Sequence, residues 1–224
     1  MRLVLILLTI FCVSSFSAPV LSQSASHIRA LNELEKINSY RPEQSNRHTR
    51  SRAVFSKRVL DDTNRVVGEV DDVILHRSGA INMLNIDFNR LRLDTGNLFI
   101  DFDDLGIRPV SNGYKMSRTD DDIREMVPDL LASMATASGS NSNGYSTKKL
   151  LGKKIYARDG RRLATIQDVL FDARGTHADM LFVSMNQKPV RGEKIAIPFS
   201  QVSFRGKNLT VKNDFADAMI DFAK

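Results

Sequence analysis

The sequence predicts a mainly β protein: two tandem small β-barrels, each followed by a short helix, behind an N-terminal signal peptide and a helical, basic tether. Three observations predict it. Residues 152–175, GKKIYARDGRRLATIQDVLFDARG, read as strand, turn, long strand, turn. Asp159-Gly160 is the hairpin signal, since Gly accepts positive φ and Asp bonds its own backbone. Leu163, Ile166, Val169 and Phe171 then put apolar positions on a strand that changes face once, as a bulged, curved strand does. The second observation is that residues 56–79 repeat this stretch without a gap: Lys57 falls on Lys153, Val59 on Ile155, Val70 on Ile166, Asp72 on Asp168, Val73 on Val169 and Gly79 on Gly175. With one residue inserted, Leu84, Ile86 and Phe88 fall on Leu181, Val183 and Met185, and residues 98–105 fall on 195–202. A period this long is a duplicated domain, not a solenoid. Composition is the third: 42% hydrophobic with 26% charged is an ordinary globular balance for 224 residues.

Both copies resemble the PRC-barrel family, the small β-barrel shared by the photosynthetic reaction-centre H subunit and the C-terminal part of the ribosome maturation factor RimM. The elements that carry the resemblance are GKKIYARDG, a strand ending IQDVLFD before a Gly turn, the apolar strand DMLFVSM, and IAIPFSQV. The first copy shows RVVGEVDDVIL with Gly68 where the second has Ala164. It departs at Asn64, which stands where the turn Gly is expected, and at Asp101, which stands opposite Pro198. The resemblance implies docking or scaffold modules and carries over no catalytic residue.

In chain order, Arg2 precedes an apolar run at 3–13 broken only by Thr9, followed by small residues, the layout of a secretory signal. A run of about 11 residues is too short to span a bilayer, which needs roughly 20. Cleavage is expected after Ser22, with Val20 and Ser22 at the two positions a signal peptidase inspects. That removes Cys12, the single cysteine, and with it any disulfide, thiolate ligand or Cys nucleophile. Localisation is therefore expected to be periplasmic or secreted.

Residues 23–55 are read as a short helix, about 26–38 on the spacing of Ile28, Leu31, Leu34 and Ile37, followed by a basic linker. Residues 23–58 hold 8 Lys plus Arg against 3 Glu. Such a segment tethers to an anionic surface, or is simply a solvated linker, the plainer reading. The first barrel-like domain is placed at 56–132, a flexible linker at 133–147 and the second domain at 148–224. After each barrel comes a helical cue: Ile123, Met126, Val127 and Leu130 behind Asp120, Asp121 and Asp122, with Pro128 expected to stop the helix near Val127, and Phe215, Met219 and Phe222 behind Asp214.

The two copies differ most in charge. Residues 59–132 hold 15 acids against 8 bases, and residues 148–224 hold 15 bases against 8 acids. Either the acidic and basic domains pack on each other, or the basic copy meets an external polyanion or partner through Lys148, Lys149, Lys153, Lys154, Arg158, Arg161 and Arg162. Nucleic acid is disfavoured: the expected export removes it, and Tyr156 is the only ring interleaved with those bases. The four histidines, His27, His48, His76 and His177, occupy non-equivalent positions and imply no nucleophile–base set. Asp101, Asp103, Asp104 and Asp120 to Asp122 do not follow the EF-hand pattern and read as a solvated face or helix cap. No catalytic, cofactor or metal residue is assigned. The function expected is an exported, non-enzymatic binding or scaffold protein of the bacterial envelope with a protein partner there. The alternatives are a peripheral sensor of an anionic membrane surface or polyanion and, should export fail, a ribosome-associated factor.

Overall fold

The computed structural model describes residues 24–91, 97–103, 105–137, 144–205 and 208–224, with the side chains of 133–137 and 205 left undescribed. The predicted signal peptide and the centre of the predicted linker lie outside them. An N-terminal arm carries α1 (Ala25–Asn38), β1 (His48–Arg50) and α2 (Ser51–Val54). The first repeat follows with β2 (Arg58–Leu60), β3 (Val66–Leu75), β4 (Ile81–Asp87), β5 (Asn97–Asp101), β6 (Arg108–Val110), β7 (Gly113–Lys115) and α3 (Asp120–Ala137). The second arm and repeat are β8 (Tyr145–Ser146), α4 (Thr147–Leu150), β9 (Lys154–Ala157), β10 (Arg162–Asp172), β11 (Ala178–Met185), β12 (Lys194–Pro198), β13 (Ser203–Arg205), β14 (Asn208–Val211) and α5 (Asn213–Phe222).

The strands form two curled sheets of the same topology, β5-β4-β3-β2-β7-β6 and β12-β11-β10-β9-β14-β13. In each, the first strand of the repeat runs parallel to the last, β2 with β7 and β9 with β14. The curling comes from bulges at equivalent places: β3 breaks register between Val70 and Asp72 and again between Ile74 and Leu75, and β10 between Ile166 and Asp168 and between Leu170 and Phe171. The single face change expected from sequence is thus two. Its consequence is that Val169, Leu170 and Phe171 are consecutive and all fully buried. Such a run needs cover on both faces, and the outer one is supplied by the N-terminal arm, whose Ile37 and Tyr40 pack over Leu170, Met180 and Ala196.

Turn chemistry accounts for the departure at Asn64. Gly160 has φ +91 in the second hairpin, and Asn64 takes φ +67 in the first, a conformation Asn tolerates better than other side-chain-bearing residues. Gly68 is fixed by space: a Cβ there would lie 2.5 Å from the Asp87 carbonyl oxygen. The same turn is pinned by Asp61, whose fully buried carboxylate accepts from the Arg65 amide (2.8 Å), the Thr63 hydroxyl (2.7 Å) and the Arg65 Nε (3.0 Å). Burial alone raises this carboxyl, but the Thr63 and Arg65 hydrogen bonds outweigh it and hold it below its ordinary value. A depressed folded pKa contributes stability above the unfolded pKa that is lost as pH falls through the folded one. Asp61→Asn is therefore expected to cost about 1–2 kcal/mol at pH 7, where hydrogen bonds to a charged acceptor are lost, and to flatten the acid limb; urea titrations at pH 7 and 3 check both. An equal cost at the two pH values would show that the charge at Asp61 is irrelevant.

The helices correct three expectations. α1 starts one residue before its predicted range, capped by the Ser24 hydroxyl on the His27 amide. It buries His27, Ala30 and Leu34, leaving Ile28 46% exposed. A stripe of period three drifts around a helix of 3.6 residues per turn, so Ile28 leaves the buried face. α3 does not stop near Val127 but runs through Pro128 to Ala137. Pro128 is exposed, so water can serve the Arg124 carbonyl that it leaves unpaired, while Ile123 and Val127 are buried and Met126 and Leu130 pack on the core on either side. Residues 133–137 of the predicted linker are therefore helical. Phe215, Ala216, Ala218 and Met219 of α5 are buried core.

Candidate functional site

The joint between the repeats is made by crossed arms. β1, which precedes the first repeat, pairs with β10 of the second, with Arg50 opposite Leu170 and Thr49 opposite Phe171. β8, which precedes the second repeat, pairs with β3 of the first, with Ser146 opposite Ile74 and Tyr145 opposite Leu75. These are equivalent registers, offset by the same spacing that relates Asp72 to Asp168. Each arm ends on one of those carboxylates. Asp168, 1% exposed, accepts from the Ser51 amide (3.2 Å) and hydroxyl (2.5 Å), the Val169 amide (2.9 Å) and the Arg50 Nε (2.6 Å). Asp72 accepts from the Ser146 hydroxyl (2.5 Å), the Lys148 amide (3.0 Å) and the Val73 amide (2.8 Å). The 41–52 segment, read from sequence as a solvated linker, thus contains a strand and part of α2, and the end of the predicted 133–147 linker contains β8.

The hairpin turns meet at the same joint. The Ala178 amide donates to the Gly79 carbonyl (2.8 Å), the Ile81 amide to Thr176 (3.3 Å), and the Tyr114 hydroxyl to the Gly175 carbonyl (2.7 Å). Burial, with Asp172 nearby, pushes the Tyr114 phenol well above the usual tyrosine range. Lys57 sits 5.5 Å from the centre of that ring, and its burial lowers its pKa despite the opposing pull of Asp172. Beside the joint, Asp179 lies 3.0 Å from His177 Nδ1 and 3.7 Å from His48 Nε2. Among the described residues no set of three or more His, Cys, Asp or Glu side chains is placed to hold a metal ion. Of the acidic run, Asp120 pairs with Arg65, and Asp122 and Thr119 cap α3 reciprocally; Asp104 lies outside the described residues.

Two of the seven predicted partner-binding bases are paired within the chain. Lys148 turns to Asp71 (2.5 Å) of the first repeat and lies 5.7 Å from the centre of the Phe55 ring. Arg161 is clamped by Asp159 and Asp217, each at 2.8 Å, and both pairs raise its pKa, Asp217 more. Arg158 and Arg162 are exposed at the hairpin turn, Arg162 reaching Asn186 at 3.5 Å, and Lys154 is exposed at the start of β9. Lys149 and Lys153 come together on the rim of a cavity of about 240 Å³ whose walls include Tyr145, Leu150, Phe204 and Leu209. Tyr145 is the one ring within the linker predicted over 133–147, and nothing local in the sequence says that it stacks on Phe204, 3.9 Å between ring centres. A larger cavity of about 350 Å³ beside α1 and α5 is lined by both charges, and Asp214 and Glu33 there already bond Ser26 and Gln201.

The fold and joint together define a double half-barrel assembled by reciprocal arms. Residues 142–217 match the PRC-barrel domain family, a span that takes in β8, α4 and all strands of the second repeat. The match covers one domain, and the first repeat lies outside it. No curated protein matches the chain.

Proposed function

We propose that this chain is an exported, non-enzymatic binding or scaffold protein of the bacterial envelope, built on two tandem PRC-barrel-like modules. The observation that carries the reading is the distribution of charge over a rigid β platform. Lys149, Lys153, Lys154, Arg158 and Arg162 are exposed on the PRC-barrel repeat, whereas Lys148 and Arg161 are already held by carboxylates of the chain. Exposed bases on a preformed scaffold steer an acidic partner and fix its orientation. The apolar segment at residues 1–22 supports export with cleavage after Ser22. No helix among the described residues is long and apolar enough to cross a membrane. A second reading, a peripheral sensor of anionic membrane surfaces or polyanions, draws on the same bases and on the surplus of Lys and Arg in residues 23–58.

One experiment separates them. Envelope fractionation with mass spectrometry of the native protein should find a chain beginning near Gln23, and mature protein used as bait should retain an envelope protein at low salt and release it at high salt. Retention on anionic vesicles without a protein partner would favour the surface sensor. Recovery of the full-length chain from the cytosol would overturn both.

A further inference from the structure

We propose that the cavity between the second arm and the β13-β14 edge captures the carboxyl terminus of a partner polypeptide that ends in an aromatic or large aliphatic residue. This rests on the reading of the chain as a binding module and names the chemistry its site takes. The walls are apolar: the Tyr145 ring stacks on Phe204 at an interplanar angle of 26°, Phe199 backs Phe204 at 5.4 Å between centres, and Leu150 and Leu209 complete them. The rim carries Lys149 and Lys153, both exposed, with no carboxylate among the lining residues. Among the described residues neither ammonium is paired, while their neighbour Lys148 is held on Asp71. Two free cations over an aromatic and aliphatic wall ask for an anion attached to an apolar body.

Size and rigidity narrow the class. At about 240 Å³ the cavity is below the range of roughly 300–1,000 Å³ that encloses a drug-sized ligand, so it takes one side chain and the group next to it. A chain end supplies both at once, a carboxylate for the ammonium groups and a terminal side chain for the wall, and capture of terminal carboxylates is a recurrent mode of peptide recognition. The walls are fixed before any ligand arrives. Tyr145 is in β8, held on β3, Leu150 is buried in α4, and Leu209 pairs with Ile155 on β9. Preorganisation of this kind lowers the ordering cost of binding.

The first sheet carries no second copy of the site. At the repeat offset Lys149 falls on Ala53 and Tyr145 on Thr49, so neither the outer cation nor the stacking ring is present. Lys153 falls on Lys57, which is turned into the joint beside Tyr114.

The test uses the full mature chain and three probes: N-acetyl-phenylalanine, its C-terminal amide, and vesicles with a fixed fraction of anionic lipid. Binding is read from amide shifts of Tyr145, Lys149 and Leu209. The expected result is saturable shifts with the free acid and binding weakened about tenfold or more for the amide, since a charge-assisted contact is lost. Lys149→Gln combined with Lys153→Gln should weaken the acid to the level of the amide while the thermal midpoint stays unchanged, because both side chains are exposed. Equal binding of acid and amide, or an unaltered double variant, would overturn the proposal. So would shifts of the same residues by vesicles but not by the acid, which would assign the cavity to a lipid surface. A failure here with salt-sensitive retention of an envelope protein intact would remove this site alone and leave the binding-module reading standing.

Discussion

Asp168→Ala is expected to destabilise the chain by about 2–5 kcal/mol, because it leaves two buried donors of Ser51 unsatisfied at roughly 1–3 kcal/mol each. The carboxylate is the end-stop of the N-terminal arm, and its loss strands several groups. The Ser51 hydroxyl and amide are buried with it and keep no alternative acceptor in that pocket, so each bears a desolvation cost. Arg50, half exposed, can turn to water, so its share of the loss is small. Asp168→Asn should recover part of the stability, since the amide oxygen still accepts from the Ser51 and Val169 amides. Asp72→Ala should cost less than Asp168→Ala, because Ser146 is only partly buried and Lys148 is exposed, so water can serve the hydroxyl and amide that it strands. Urea denaturation of the three variants at pH 7 gives the ranking. An Asp168→Ala protein as stable as the parent would mean that the arm is held by strand pairing alone.

The role of Asp168 shows what was legible from sequence. The duplication aligned Asp72 with Asp168, and the alternation around them marked two curved strands, because periodicity and turn residues are local signals that survive in a single chain. The two sheets and one bulge in each long strand follow from that reading; the second bulge does not. The crossing of the arms did not follow, because a strand of two or three residues such as Tyr145-Ser146 or His48-Thr49-Arg50 carries too little pattern to name its partner. Nothing in either segment says which long strand it will join, and composition argued for linkers at both. The same limit applies to the basic cluster: seven bases lie close in sequence, and nothing local says that Lys148 and Arg161 are committed to Asp71 and Asp217, residues 77 and 56 positions away. Pro128 failed as a stop signal for a related reason: its helix is fixed by tertiary burial of Ile123 and Val127, which outweighs the loss of one exposed hydrogen bond.

Val183→Asp is expected to abolish the cooperative unfolding transition of the whole chain, first repeat included. Val183 is fully buried and lies between Ile166 and Ile195 on the neighbouring strands. An unpaired carboxylate there costs several kcal/mol on top of the lost apolar burial of about 1.5–3 kcal/mol. Together these approach the ~5–15 kcal/mol by which domains of this kind are stable. The loss should not stop at the second sheet. One apolar cluster runs through both repeats, and Val54 and Leu150, one from each arm, are buried in it. When the second sheet unfolds, β1 and α1 lose the surface they lie on, and β8 and α4 lose the covalent anchor that holds them against β3. A flexible linker over 133–147, as the sequence predicts, would leave two independent folding units, each with its own transition. The crossed arms predict a single one. Far-ultraviolet circular dichroism gives the global signal, and amide resonances of Val59, Leu84 and Ile86 report the first sheet. Dispersed first-sheet resonances in a Val183→Asp protein would show that the repeats are energetically separate and that the arms contribute little to either.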